Sequence, residues 1–208
     1  MNRMSEEKIF FKSGSLLIEG LLRNISGDKG LVVTHPHPLY GGNMFNNVVE
    51  AVCEAYQEIG YSTLRFNFRG VGQSEGEYDN GVGEQHDVKA ALEYLSGLGK
   101  KEIDLAGYSF GSWINALGLN RYQEVNRAIM ISPPVDMMGF PSHEYNPKIK
   151  LVITGSEDDI ASCESIKKVM PVWNPEADFK VIQGTDHFYW GKTDKIEKII
   201  KEFLDTSP

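Results

Sequence analysis

The sequence is poor in cysteine and lacks any surplus of positive charge. Its 208 residues include two cysteines, Cys53 and Cys163, which lie far apart and form no CxxC pair. Such cysteines predict buried thiols in a reducing compartment rather than a disulfide framework. The formal net charge is −8 and the pI is about 5.2. This balance argues against nucleic acid or an anionic membrane surface as the main partner.

Long hydrophobic runs, internal repeats and low-complexity tracts are absent as well. No apolar run approaches the roughly 20 residues of a membrane-spanning helix, so we expect no membrane association. The segment 1–12 mixes charges with a short apolar stretch and does not resemble a signal peptide. We therefore expect a cytoplasmic protein that forms one domain over residues 1–208, with its core over about 16–205. A chain of this length can bury a continuous core.

What the sequence has instead is a regular alternation of short apolar runs and segments of helical periodicity. The apolar runs predict strands at 9–11, 16–22, 31–34, 61–68, 103–106, 128–131, 149–154 and 179–182. The periodic segments predict helices at 46–58, 84–95, from the turn after 106 to about 120, 162–170 and 195–204. This alternation predicts an α/β fold with a mostly parallel sheet of about seven or eight strands and helices on both faces.

The apolar run at 103–106 leads into the sequence Gly107-Tyr108-Ser109-Phe110-Gly111. Glycines on both sides of the serine let the strand and the following helix pack closely, which leaves the serine hydroxyl at the tip of a sharp turn. A strand, a sharp turn and a helix are the context of a nucleophile elbow, so Ser109 is the candidate nucleophile. A serine hydroxyl is a weak nucleophile unless a neighbouring base takes its proton.

The ends of later predicted strands carry groups that would assist such a serine. Ligands of open α/β sheets bind beyond the carboxyl ends of the strands. The penultimate strand is followed by Asp158 and Asp159, and the last strand is followed by His187. His187 is therefore the candidate general base, and a carboxylate is needed to orient its imidazole and to stabilise the imidazolium that forms.

Several motifs together carry a resemblance to a known family. The order serine, aspartate, histidine is the one found in α/β-hydrolases. The chain also contains His-Pro-His-Pro at 35–38, Gly-Gly-x-Met at 41–44 and Arg-Phe-Asn-Phe-Arg-Gly-Val-Gly-x-Ser-x-Gly at 65–76. With these motifs it resembles short bacterial α/β-hydrolases without a large cap domain, over roughly 16–203. The resemblance implies the α/β-hydrolase fold and hydrolysis by a serine through an acyl-enzyme.

The resemblance also bears on the orienting acid. The family pattern Gly-x-x-Asp places the acid at Asp158. Asp159 is adjacent and stays a candidate, and so does Asp136, because some relatives take the acid from the preceding strand. Asp186 lies too close to His187 in sequence to be attractive.

An oxyanion hole needs backbone donors where negative charge develops. The N–H of Phe110 is the expected first donor. The second should come from the loop after strand 31–34, where Pro36 and Pro38 have no N–H. His37, and after it Leu39, are therefore the candidates, and the family resemblance favours His37.

The substrate site is predicted to be open and shallow. The only segment that could form a lid, 132–148, is too short for a helical cap. Tyr40, Trp113 and Tyr189 are the residues we expect to bind substrate; other apolar candidates are Phe45, Met137, Met138, Phe140 and Trp190. An apolar rim favours a small-molecule acyl substrate, a carboxylic ester or thioester, and leaves a peptide or amide open. The competing class is a non-catalytic protein of the same fold that binds a ligand or partner.

No cofactor or metal is expected. His35 and His37 share one face of an extended segment, but no acidic residue or cysteine nearby completes a metal site. The glycine-rich stretch at 70–75 lacks the third glycine of a dinucleotide-binding fingerprint. Gly191-Lys192-Thr193 lacks the leading glycine of a P-loop.

Overall fold

A mixed sheet of eight strands forms the centre of the computed structural model, which describes residues 6–140 and 145–206. The strands are β1 (Glu7–Ser13), β2 (Leu16–Arg23), β3 (Lys29–Thr34), β4 (Ser62–Phe66), β5 (Glu102–Tyr108), β6 (Val125–Ile131), β7 (Ile149–Gly155) and β8 (Asp178–Ile182). Their order across the sheet is β1-β2-β4-β3-β5-β6-β7-β8. β2 pairs antiparallel with β1 and β4, and β3 to β8 pair in parallel. The predicted strand number and mostly parallel sheet are confirmed.

Helices cover both faces of this sheet. They are α1 (Asn47–Glu58), α2 (Val82–Gly97), α3 (Phe110–Gly118), α4 (Cys163–Trp173) and α5 (Thr193–Thr206). α1 and α5 pack on one face, and α2, α3 and α4 on the other. Neighbouring residues of one strand, such as Val32 and Val33, point into opposite cores because side chains alternate along a strand. Both faces are therefore apolar, which explains why the strands read as continuous apolar runs.

A local capping signal explains where α1 begins, but local signals do not explain where α4 ends. α1 begins where the side chain of Asn46 accepts from the N–H of Val48, an N-cap that satisfies a free helical donor. α4 was expected to end at Met170, before Pro171, but it continues to Trp173. The indole of Trp173 is fully buried, and the Asn174 N–H donates to the Met170 carbonyl at 3.0 Å. Tertiary packing of the tryptophan thus outweighs the single hydrogen bond that a proline removes.

The loops that follow the parallel strands meet at one edge of the sheet. The loop after β6 lies there without helix or strand over the described residues 132–140; residues 141–144, part of the expected irregular segment, lie outside the described residues. Both cysteines are free thiols, Cys53 buried and Cys163 half-buried. No helix in the described part of the chain is both long enough and apolar enough to span a bilayer.

Candidate active site

Ser109 occupies a strained turn between β5 and α3. Its φ is 53°, a left-handed value that non-glycine residues rarely adopt. A Cβ on Gly107 would lie 2.7 Å from the backbone of both Gly111 and Ser112. A Cβ on Gly111 would lie 2.6 Å from the Thr34 carbonyl oxygen. The two glycines are therefore needed for the close packing that the motif predicts, and the strain at Ser109 is held by the surrounding structure.

Three side chains from distant parts of the sequence form a continuous series of hydrogen bonds at this edge of the sheet. The Ser109 Oγ lies 2.9 Å from His187 Nε2, although the two residues are 78 positions apart. On the other side of the ring, His187 Nδ1 lies 3.0 Å and 2.9 Å from the two carboxylate oxygens of Asp158. The Tyr108 hydroxyl donates to the His187 carbonyl at 2.6 Å and holds the main chain of the histidine. We call these three side chains the Ser–His–Asp chain.

Asp158 is buried and richly hydrogen-bonded. Its Oδ1 accepts from the amides of Ile160 at 3.1 Å and Ala161 at 2.7 Å, and its Oδ2 accepts from the Ser132 hydroxyl at 2.6 Å. Burial by itself favours the neutral acid, but the hydrogen bonds from His187, Ser132 and the Ala161 amide outweigh it and hold the pKa of Asp158 below its usual value. The carboxylate is therefore ionised and available to an imidazolium at neutral pH.

The other candidate acids do not reach the histidine. Asp159 points to solvent. Asp136 is exposed and accepts from the Ser162 hydroxyl at 3.0 Å, at the start of α4. Asp186 accepts from the Phe188 amide at 2.9 Å in a local turn. Of the four acids that the sequence offered, the structure brings Asp158 to His187.

Two backbone amides of residues that share a cavity with Ser109 are candidate oxyanion donors. Phe110 is the first residue of α3, so its N–H has no partner within the helix. Neither the Phe110 nor the His37 amide donates to a protein acceptor in the described part of the chain, and both residues line the same cavity. The alternative donor, the Leu39 amide, is already used, because it donates to His37 Nδ1 at 3.2 Å. The geometry therefore favours the amides of Phe110 and His37 as the two donors of an oxyanion hole.

The Ser–His–Asp chain opens into a cavity of about 400 Å³. Its lining is formed by residues 36–37, 40–42, 46, 108–110, 134, 137–138, 160 and 187–188, and it includes no Asp, Glu, Lys or Arg. Tyr40 lies at its rim, largely exposed, as do Met137 and Phe188. The wall is mainly apolar, so a seated group is expected to be uncharged.

Two of the expected substrate-binding residues lie elsewhere. Tyr189 is fully buried behind Asp158, and its hydroxyl lies 2.6 Å from the Ser132 Oγ. Trp113 lies on α3 outside the cavity lining, and its indole N–H donates to the Gly139 carbonyl at 3.0 Å. The cavity lining therefore includes Tyr40 but neither Trp113 nor Tyr189. Sequence reasoning also missed Ser132, although its position directly after β6, at the carboxyl end of a parallel strand, was a usable signal.

His35 has a structural role. Its Nε2 accepts from the Phe68 amide at 3.0 Å, and its Nδ1 lies 2.6 Å from the Pro36 carbonyl oxygen, which assigns the proton to Nδ1. The ring ties the loop after β3 to the loop after β4. No group of three or more metal-ligating side chains occurs among the residues that the structure describes.

This buried ring makes a testable contribution to stability. Burial lowers the pKa of His35 from 6.5 to about 4. The unfolded chain binds a proton below about pH 6.5, while the folded ring stays neutral down to about pH 4. The contribution of His35 to the free energy of unfolding should therefore be complete above pH 6.5, and about 3 kcal/mol of it should be lost as the pH falls to 4. We expect the free energy of unfolding of His35→Gln, measured in urea, to be lower than that of the wild type at pH 7. It should also depend less on pH than that of the wild type.

The matched control for this prediction is His86→Gln, which changes an exposed histidine on α2. That variant should keep the pH dependence of the wild type. An unchanged pH dependence in His35→Gln would contradict the assignment of the acid-sensitive stability to His35.

Comparisons with known proteins bear on this geometry. No protein-family model matches the sequence. The chain is 36% identical over 215 residues to an uncharacterized protein of Rickettsia prowazekii. The aligned region covers 96% of this chain and 89% of that protein. A solved α/β serine hydrolase homologue from Coxiella burnetii superimposes with a TM-score of 0.88 at 33% identity, over 98% of this chain and 100% of the other. The chain belongs to the α/β-hydrolase superfamily.

A further solved relative bears on the open site of this α/β-hydrolase. It is an α/β serine hydrolase without a lid from Xanthomonas campestris, with a TM-score of 0.87 and 25% identity over 100% of this chain and 99% of the other. The resemblance inferred from the His-Pro-His-Pro and Gly-x-Ser-x-Gly motifs is thus confirmed, as is the cap-less fold. The likeness supports a hydrolase and leaves the substrate to be argued from the cavity.

Proposed function

We propose that the protein is a serine hydrolase that cleaves small, uncharged carboxylic esters or thioesters through an acyl-enzyme. The observation that carries this proposal is the continuous hydrogen-bonded chain from Ser109 through His187 to Asp158, which opens into an apolar cavity. The catalytic residues are then Ser109 as nucleophile, His187 as general base and acid, and Asp158 as the carboxylate that orients the ring.

The reaction follows from these positions. As the Ser109 Oγ attacks the substrate carbonyl carbon, His187 Nε2 takes the hydroxyl proton, and Asp158 stabilises the imidazolium. The negative charge on the carbonyl oxygen is met by the N–H groups of Phe110 and His37, the first of which is also at the positive end of the α3 dipole. The tetrahedral intermediate expels the alcohol or thiol, which receives the proton from His187. Water then attacks the acyl-enzyme and gives a proton to His187. The Ser109 Oγ–acyl bond breaks, His187 returns the proton to the serine oxygen, and the acid is released.

The substrate class follows from the cavity wall. Because its lining carries no carboxylate, ammonium or guanidinium group, nothing there would neutralise a charged acyl chain. The His37 ring also lines the cavity, and burial lowers its pKa, so it is neutral at physiological pH. Methionine side chains at 137 and 138 offer an adaptable apolar surface. These features support a neutral acyl group of small or moderate size.

The test is an ester panel. The folded protein should hydrolyse p-nitrophenyl acetate and butyrate, and should hydrolyse an ester of a dicarboxylic acid, whose acyl chain carries a free carboxylate, at least tenfold more slowly, because a buried unpaired charge is costly. Thioester and peptide substrates of the same acyl groups separate the reaction types.

A fluorophosphonate probe provides the control for catalysis itself. It should label the wild type and Ser96→Ala, which changes an exposed serine on α2. Absence of labelling on folded protein, together with no ester or peptide hydrolysis, would overturn the proposal and favour a non-catalytic binding protein of the same fold.

A further inference from the structure

Two hydroxyl-bearing residues that the proposed reaction does not use converge behind Asp158. Ser132 directly follows β6, and Tyr189 follows His187 by two residues. The Ser132 Oγ lies 2.6 Å from Asp158 Oδ2 and 2.6 Å from the Tyr189 Oη. Both residues are fully buried, at 0% exposure. Their hydroxyls thus extend the Ser–His–Asp chain by two further hydrogen bonds, away from the cavity.

The direction of these hydrogen bonds is set by chemistry. An ionised carboxylate has no proton to give, so Ser132 must donate to Asp158. Its single proton is then used, and Tyr189 is the donor in the hydrogen bond between the two hydroxyls. The Thr154 hydroxyl also interacts with Tyr189, but it donates to the Ala161 carbonyl at 2.8 Å and lies 3.4 Å from Asp158, so Ser132 is the nearer hydroxyl donor to the carboxylate.

The backbone at both residues is strained. Ser132 has a φ of 44° and Tyr189 a φ of 57°. Among the described residues, two others that are not glycine have positive φ, the nucleophile Ser109 and the exposed Asn80. Three of these four strained residues therefore belong to one hydrogen-bonded assembly. Such strain persists where the surrounding structure imposes it, and it clusters at functional sites.

We propose that Ser132 and Tyr189 are positioning residues that hold the Asp158 carboxylate against His187, with Tyr189 acting through Ser132. This inference rests on the proposed function. Without the Ser132 proton, Oδ2 loses its shortest hydrogen bond, and the orientation of the carboxylate then depends mainly on the Ile160 and Ala161 amides and on His187 itself. The hydrogen bond also disperses the negative charge of Asp158, so its loss leaves a stronger partner for the imidazolium.

Other titratable groups near this assembly are few. Tyr108 comes from β5, Cys163 from the start of α4, and Asp186 from the loop that carries His187. Burial raises the pKa of Tyr108, of Cys163 and of Tyr189 itself, so these groups stay neutral near pH 7. Asp186 is exposed to solvent and is retained in every variant below.

The experiment compares Ser132→Gly, Tyr189→Phe and the double variant. Glycine removes the hydroxyl and relieves the positive φ, so the melting temperature should not fall through strain. We expect kcat for p-nitrophenyl butyrate to fall about tenfold in Ser132→Gly and about threefold in Tyr189→Phe, with KM nearly unchanged.

The acid limb of the kcat/KM profile should move to higher pH by about half a unit in Ser132→Gly and less in Tyr189→Phe. The double variant should match Ser132→Gly, because Tyr189 acts through Ser132.

A measurement without substrate separates this inference from the proposed function. In the free protein, proton NMR reports the strongly deshielded His187 Nδ1 proton in the hydrogen bond to Asp158, and this resonance should shift or broaden in both single variants. Asn80→Gly, which relieves a positive φ at an exposed residue outside the cavity lining, should change neither the resonance nor the kinetics. If the wild type hydrolyses no substrate and resists the fluorophosphonate probe, the proposed function fails while the NMR comparison still tests the positioning.

The inference is overturned if the single variants keep the wild-type kcat, acid limb and Nδ1 resonance. It is also overturned if the loss of activity is no larger than the loss of folded protein measured by circular dichroism, and the acid limb of the kcat/KM profile is unchanged. Should Ser132→Gly fail to fold, Tyr189→Phe, which removes one oxygen atom, decides by the same three readouts.

Discussion

Ser109→Ala is expected to lower kcat for p-nitrophenyl butyrate by about 10⁶-fold. The variant loses the only hydroxyl that lies within hydrogen-bonding distance of His187 Nε2 in the described part of the chain, at 2.9 Å. The oxyanion donors and the cavity stay in place, so a small residual acceleration over water is expected. The KM for the ester should change little, because the acyl group contacts the cavity wall rather than the serine oxygen.

The measurement combines steady-state kinetics with intact-protein mass spectrometry. Wild type should acquire one fluorophosphonate adduct, and Ser109→Ala none. Ser96→Ala should match the wild type in both measurements, which controls for the substitution of a serine as such. A Ser109→Ala protein that keeps activity within tenfold of the wild type would show that another group is the nucleophile.

Asp158→Asn is expected to have the second largest effect, a fall in kcat of about 10⁴-fold at neutral pH. The asparagine side chain has nearly the same shape but has one oxygen and one NH₂ group. If its oxygen faces the amides of Ile160 and Ala161, its NH₂ group meets the Ser132 hydroxyl and His187 Nδ1. The histidine then keeps its proton on Nε2, the wrong atom to accept from Ser109.

The chain offers two matched controls for this variant. Asp159→Asn and Asp136→Asn change acids that also follow parallel strands but point to solvent or to the start of α4. Both should retain kcat within about twofold, as expected for exposed substitutions. A mild effect in Asp158→Asn combined with a severe one in either control would reassign the orienting acid.

Much of the fold was predictable because each strand and helix has a local signature. The parallel strands are buried on both faces, so they read as continuous apolar runs, and the helices between them show one apolar stripe. The error at α4 has a different origin. Pro171 is a local signal to end a helix, but the burial of Trp173 depends on packing against distant elements. Local rules do not contain that contribution.

The candidate site was predictable in part for a similar reason. Ser109, Asp158 and His187 each follow a parallel strand, and parallel strands end at the same edge of a sheet. The aromatic residues were less predictable. Tyr189 is two positions from His187, yet its backbone adopts a positive φ, and its side chain is buried behind Asp158 rather than in the cavity. Trp113 lies one turn into α3, and its side chain packs beside the Gly81 backbone.

By itself, the sequence determined which reactive groups exist, in which order they occur and at which strand ends they lie, because strand and turn signals are local along the chain. Only the tertiary structure decided which of four acids meets His187, which amides stay free beside Ser109, and which hydroxyls stand behind Asp158. These outcomes depend on contacts of a few ångströms between residues tens of positions apart, as in the 29-residue separation of Asp158 and His187.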